Sequence, residues 1–283
     1  MKKFIALAVL ATATASFAAS DIYDIQYLPA AGTTYGFSTG EYFKGEIETD
    51  NGDAEISGPR FVQTIGHSFT DRLSLSASLN YQDLESDPDG GSKSTTSGIS
   101  DPKVEARFRM MDEAFRWDLV GGAVVSLGDS EVEEDGDSDN LQGGHSLIIG
   151  TQLGVKSESF QWSILGQLTH NMESTTDYDG FGKLDDDSHN ELLVRGDILN
   201  KLAEKSLLRS HLSIDFTEGY DDEEGDESAA PLTTYEIGTE YQHLLSQDLL
   251  LRAGVDYQML NTSSAQIDNI SAWLFRVGAN YQF

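Results

Sequence analysis

The sequence predicts an all-β fold: one closed antiparallel transmembrane β-barrel of about 12 strands, with short turns at one rim and long acidic loops at the other. Three observations predict it. First, the stretch 271–283 alternates: Trp273, Phe275, Val277, Ala279, Tyr281 and Phe283 take one face, and Leu274, Arg276, Gly278, Asn280 and Gln282 take the other. Period two marks a strand, and this one exceeds the roughly 9–11 residues a tilted strand needs to cross a bilayer. Second, similar segments recur along the whole chain. Third, the connections between them alternate in length.

In chain order, residues 1–18 read as a secretory signal peptide. Lys2 and Lys3 open it, 4–15 is an apolar run too short to stay in a membrane, and Ser16-Phe17-Ala18 offers a small-x-small cleavage site, with a cut after Ser20 as the alternative. Its two lysines leave without any acid, so the formal charge of −30 becomes −32. No later segment approaches the roughly 18 apolar residues of a membrane helix. The mean hydropathy of −0.35 does not oppose a barrel, which hides its apolar half in alternation. The chain has no cysteine, which excludes disulfides, thiolate metal sites and thiol catalysis. Its acidity argues against nucleic acid as a partner.

Residues 19–31 are expected to form a short periplasmic leader, with Pro29 discouraging a strand, and 32–283 the barrel. The expected strands are 33–48, 57–69, 73–84, 98–110, 115–127, 143–156, 159–172, 188–200, 206–218, 232–244, 248–260 and 268–283. Alternation is clearest in 73–84, where Leu73, Leu75, Ala77, Leu79 and Tyr81 oppose Ser74, Ser76, Ser78, Asn80 and Gln82. It is weaker in 188–200, and 200–207 reads equally as a helical turn. The connections 70–72, 111–114, 157–158, 201–205 and 245–247 are short, whereas 85–97, 128–142, 173–187 and 219–231 are long and rich in Asp, Gly and Ser. Short periplasmic turns and long extracellular loops are the pattern of outer-membrane barrels, and an even strand count leaves both termini in the periplasm. The terminal Tyr281-Gln282-Phe283 resembles the assembly signal of such barrels. The resemblance implies Tyr281 and Phe283 as signal residues, a Gram-negative outer membrane as the location, and the barrel assembly machinery, periplasmic chaperones, outer-membrane lipid and lipopolysaccharide as partners.

Charge facing adds the functional expectation. A Lys or Arg facing lipid at mid-depth costs roughly 2–4 kcal/mol, so charged strand residues belong in the lumen. Alternation assigns Lys103, Arg107, Arg109, Arg209, Arg252 and Arg276 with Glu105, Glu236, Glu240 and Asp256 to the pore lining. Lys44, Glu46, Glu48 and Asp101 are assigned inward as well, and cations and acids balance over the wall, so the excess negative charge lies in loops. Two readings of this wall stay open: an aqueous pore, or an ion-pair network filling a narrow barrel that conducts little. Asp-rich loops such as Asp135–Asp139, Asp177–Gly180, Asp185–Asp187 and Asp221–Glu224 completely match no EF-hand. They read as solvated surface, with weak Ca²⁺ or Mg²⁺ binding as the alternative and no cofactor otherwise. No enzyme is expected. His67-Ser68 and His145-Ser146 are adjacent on strands and face opposite ways, and His189 near Asp187 is the best of the remaining histidines.

The run Gly98-Ile99-Ser100-Asp101, the strand to Arg107-Phe108-Arg109, the hairpin through Trp117, Gly121-Gly122 and Leu127-Gly128, and the stretch 66–73 (GHSFTDRL) resemble the MetA-pathway phenol-degradation family of small outer-membrane barrels, often called simply transporters. The chain departs from it at Ser100 and at Leu127-Gly128-Asp129. The resemblance implies passive uptake of small solutes, including hydrophobic or aromatic ones. The expected function is therefore an outer-membrane diffusion channel with an acidic mouth. The alternative is a non-conducting structural or surface-interaction barrel that works through its acidic loops.

Overall fold

The computed structural model describes residues 21–49, 53–89, 92–134, 136–180, 182–221, 227–262 and 267–283; the expected signal peptide lies outside these. The alternating segments become β1 (Thr34–Thr49), β2 (Ala54–Thr70), β3 (Leu73–Pro88), β4 (Ser94–Ile99), β5 (Lys103–Asp112) and β6 (Phe115–Val124) in the first half. After the small β7 (Ser130–Val132) come β8 (Ser146–Lys156) and β9 (Phe160–Asn171), then the loop hairpin β10 (Ser174–Tyr178) and β11 (Gly182–Asp186). The second half has β12 (His189–Ala203), β13 (Ser206–Thr217), the short β14 (Tyr220–Asp221) and β15 (Glu227–Ala229), then β16 (Leu232–Ser246), β17 (Leu249–Thr262) and β18 (Ile267–Gln282).

Antiparallel pairing runs from β1 through β2 and β3 to β5, then β6, β8, β9, β12, β13, β16, β17 and β18, and β18 pairs back on β1. Because β4 and β5 both pair with β3, they are two halves of one stave, and the ring has twelve staves. Closure removes every sheet edge that lipid would leave without hydrogen bonds. The seam is sealed at its periplasmic end by reciprocal bonds, Thr34 N to Phe283 O at 3.1 Å and Phe283 N to Thr34 O at 2.9 Å.

The expected strand at 98–110 is split. Pro102 has no N–H to give the ladder, and Asp101 turns inward, where it accepts from Leu127 N at 2.7 Å and Gln142 N at 2.8 Å. The 200–207 stretch is no helix: the strand runs to Ala203 and resumes at Ser206. Register shifts at Ser68/Thr70, Arg109/Met111, Lys201/Ala203 and Leu244/Ser246 place bulges beside four of the short turns, at the barrel rim. The long 173–187 connection is partly ordered as β10–β11, which join β7.

Burial is inverted relative to a water-soluble protein. Ile149 and Val277 are 67% and 64% exposed on the outside, while Asp118 and Asp256 are 0% and 2% exposed within. Only lipid outside and a polar interior make that distribution stable. The apolar exterior and closed ladder place the chain in a membrane as a barrel.

Candidate functional site

Alternation delivers charged side chains to two opposed walls of the lumen. On the β5–β6 wall Arg109 is buried and gives Nε to Asp118 at 2.8 Å, with Asp112 at 3.5 Å. Arg107 donates to Asp118 at 3.2 Å and to Gln152 at 2.6 Å, and Lys103 pairs with Glu105 at 3.1 Å. Across the lumen, Asp197 on β12 takes Arg209 at 2.8 Å and Arg195 at 3.2 Å. Next to them His211 meets Glu236 at 2.6 Å and Asp256 at 3.6 Å, Asp256 pairs with Arg276, and Glu240 lies 3.7 Å from Arg252. Of the expected lining residues, Lys103, Glu105, Arg107, Arg209 and Arg252 border one inner chamber, and among the described residues the ten fall into four groups of ion pairs: Arg107 and Arg109 on Asp118, Lys103 on Glu105, Arg252 on Glu240, and the set around Asp197, Glu236 and Asp256.

Alternation puts His211 on the face of Arg209, although it is not among the expected lining residues. With Glu236 and Asp256 it forms the one trio among the described residues whose donor atoms converge as a metal site's would. Arg195 and Arg276 already balance those carboxylates, so the trio reads as part of the network. The loop acids Asp135, Asp222, Glu223 and Glu224 lie outside the described residues, and nothing is described of the Asp221 side chain. His189 sits 2.9 Å from Asn171 and 4.0 Å from Glu191.

The inward assignment of Lys44, Glu46 and Glu48 is wrong. Lys44 is an exposed partner of Glu55 at 2.8 Å, on the same face as the outward Tyr42, near the outer end of β1. The physical reason is that Tyr35 and Phe37, though aromatic, point into the lumen, which inverts the facing of the whole strand. Glu41, 4.0 Å from Arg60, is the true inward acid of β1.

What turns Tyr35 and Phe37 inward is the segment before the barrel. Residues 21–33 fold back into the periplasmic mouth, where Ile22 and Ile25 pack with Leu199, Leu207 and Leu250, all five buried. Those three leucines have inward facing at the periplasmic ends of their strands, where water would otherwise wet them. Asp24 has a fully buried side chain: Oδ2 receives Lys156 at 2.7 Å and Arg116 at 3.0 Å, and Oδ1 receives Gln161 at 2.7 Å. The Gln26 backbone oxygen accepts from Arg109 at 2.5 Å and its side chain donates to Gln152 O at 3.1 Å. Tyr27 stacks edge-on against Tyr35, with ring centroids at 5.3 Å, and donates its hydroxyl to Gln282 at 2.8 Å. Burial, and after it the Asp21 carboxylate, pushes the Tyr23 hydroxyl up to about 12; burial raises Tyr27 also. The chain leaves through Gly32 at φ +82, tied by Ala31 N to Asp71 at 2.8 Å.

Between this segment and the two walls lies a chamber of about 310 Å³; a second hollow of about 250 Å³, lined by His145, Asn171 and Glu191 among others, lies under the outer loops.

No protein-family model matches the chain, and no curated protein matches it in sequence. Solved structures do match. An outer-membrane channel from Pseudomonas putida F1 superposes with a TM-score of 0.69 at 15% identity, covering 93% of this chain and 100% of that one. The fold is that of a bacterial outer-membrane β-barrel. The translocator domain of the autotransporter NalP from Neisseria meningitidis gives 0.54 at 13% identity over 100% of this chain and 94% of that domain. The NanC porin gives 0.51 at 12%, over 86% and 98%. The barrel belongs in the outer membrane, with the apolar belt against its lipid.

Proposed function

We propose that this outer-membrane barrel is a channel for passive diffusion of small solutes, narrowed at its periplasmic end by residues 21–33. The observation that carries the reading is the inner wall, where Lys103, Glu105 and Arg107 on β5 and Arg209 and Arg252 on β13 and β17 face one chamber of about 310 Å³ from opposed sides. Such a wall suits polar solutes and repels none by net charge. The seated segment makes the resting state closed or poorly conducting, which joins the two readings the sequence left open. A barrel acting only through its surface loops would have no use for a docked segment that meets inward Lys156, Arg116, Gln161 and Arg109 as well as Leu199, Leu207 and Leu250. The test is single-channel recording on the purified barrel. We expect small or rare steps from the intact chain and larger, stable steps once residues 21–31 are deleted. Absence of any steps from a folded deletion variant, across a range of salts, would overturn the channel. Sites along the path are Lys103, Arg107, Arg209, Arg252 and Arg276 with Glu105, Glu236, Glu240 and Asp256. Arg109 and Asp118 hold the segment in place.

A further inference from the structure

We propose that the chamber above the N-terminal segment is a binding site for a small organic monocarboxylate with an apolar body. It deepens the channel reading by naming a solute class. The first ground is charge. Lys103 and Arg107 reach the chamber from one wall, Arg209 and Arg252 from the other, and among the described residues its only carboxylates are Glu105 and Asp24. Asp24 is consumed by Lys156 and Arg116, and Glu105 by Lys103, while the carboxylates that face Arg107, Arg209 and Arg252, namely Asp118, Asp197 and Glu240, lie outside the chamber lining.

The second ground is unused donors. A guanidinium carries five N–H groups. Arg209 gives Nε and Nη2 to Asp197, and Arg107 gives Nη1 to Asp118 and Gln152. Arg252 gives Nη2 to Thr39 and stands 3.7 Å from Glu240, while its buried Nε has no partner. A carboxylate arriving between the walls meets this surplus and can be held from two sides.

The third ground is shape. Tyr27, Tyr35 and Phe37 form an aromatic side to the same chamber, with ring centroids 5.3–5.8 Å apart. An inorganic anion would leave those rings against water; a carboxylate on a compact apolar body covers them and still reaches the arginines. A volume of about 310 Å³ is the small end of ligand sites.

The experiment is isothermal titration of the full mature barrel in detergent with benzoate, cyclohexanecarboxylate, neutral benzamide and inorganic phosphate. Both carboxylates are expected to bind at least tenfold more tightly than benzamide or phosphate. Arg252→Gln and Lys103→Gln are each expected to weaken benzoate at least tenfold while the barrel keeps its heat-modifiable migration; if Arg252→Gln does not fold, Lys103→Gln decides. Benzamide or phosphate binding as well as benzoate, no heat from either carboxylate, or unchanged affinity in the folded variants would overturn the site. Conductance recorded on the same preparation separates the two claims: steps without binding remove the site and leave the channel, and binding without steps does the reverse.

Discussion

Replacing Asp24 by alanine should unseat the N-terminal segment. Its carboxylate holds Lys156 at 2.7 Å, Arg116 at 3.0 Å and Gln161 at 2.7 Å from a fully buried position. Breaking a buried pair by removing one partner costs about 3–5 kcal/mol, because the other charge stays buried. Here the cations are partly rescued: Arg116 keeps Asp112 at 2.7 Å, and Lys156, about a quarter exposed, keeps Asp21 at 2.9 Å. The low end of the range applies, about 3 kcal/mol, which is a shift of about 10² in the docked-to-undocked ratio. The apolar contacts of Ile22 and Ile25 with Leu199, Leu207 and Leu250 remain, so docking weakens without vanishing. Single-channel recording should show Asp24→Ala flickering between the intact level and the level of the 21–31 deletion. Since the chain has no cysteine, a Tyr23→Cys label provides a second readout: a periplasmic maleimide should react faster in the Asp24→Ala background. Wild-type open probability and unchanged labelling in a folded Asp24→Ala barrel would refute the seating argument.

Alkaline pH should release the same segment. The docked Tyr23 hydroxyl is raised to about 12 from an ordinary value near 10, and Tyr27 is raised too, so docking is intact below pH ~10 and is lost as pH climbs toward 12. Conductance should rise in that window, and Tyr23→Phe with Tyr27→Phe should abolish the rise; a rise that persists in the double variant would assign it elsewhere. On the outer belt, Ile237, 60% exposed, faces lipid, and Ile237→Arg should cost about 2–4 kcal/mol in folding into bilayers measured by urea titration. Indifference to that substitution would contradict the outward facing of the strand.

The barrel was legible because lipid imposes one rule on every stave, and the rule writes itself as alternation. Short turns and long loops then fixed the direction, and Lys103, Glu105, Arg107, Arg209 and Arg252 border the inner chamber. The leader was not legible by that rule, since it is not a strand. A trace of it was present all the same: Ile22, Ile25 and Leu28 are apolar residues spaced by three in a segment expected to sit in water. Leu199, Leu207 and Leu250 are likewise apolar at positions whose facing is toward the lumen. Two sets of misplaced apolar residues at the same rim imply that they cover each other. The same segment explains the error on β1, where Lys44, Glu46 and Glu48 were assigned inward, while Tyr35 and Phe37 on the opposite face line the lumen beside Tyr27. The contacts of His211 were not legible, because its partners Glu236 and Asp256 lie on neighbouring strands and meet it only through register.

In the proposed channel the acidic mouth and the chamber would act in series, and their physics differs. Loop carboxylates such as Glu133, Asp179 and Asp187 are exposed to solvent, where screening over about 8 Å at physiological salt confines their field to the mouth. The chamber arginines are partly buried, with Arg209 and Arg252 side chains 25% and 17% exposed, so salt reaches them less. For an anion approaching from outside, the loops set a repulsive barrier to arrival and the chamber sets residence. Raising salt should therefore speed association of benzoate while changing its dissociation little, the reverse of a site whose own charges attract the ligand from afar. Stopped-flow binding on barrels reconstituted with loops outward measures both rates. Association that slows with salt would mean the loops do not guard the path, and the order of the two filters would have to be reversed.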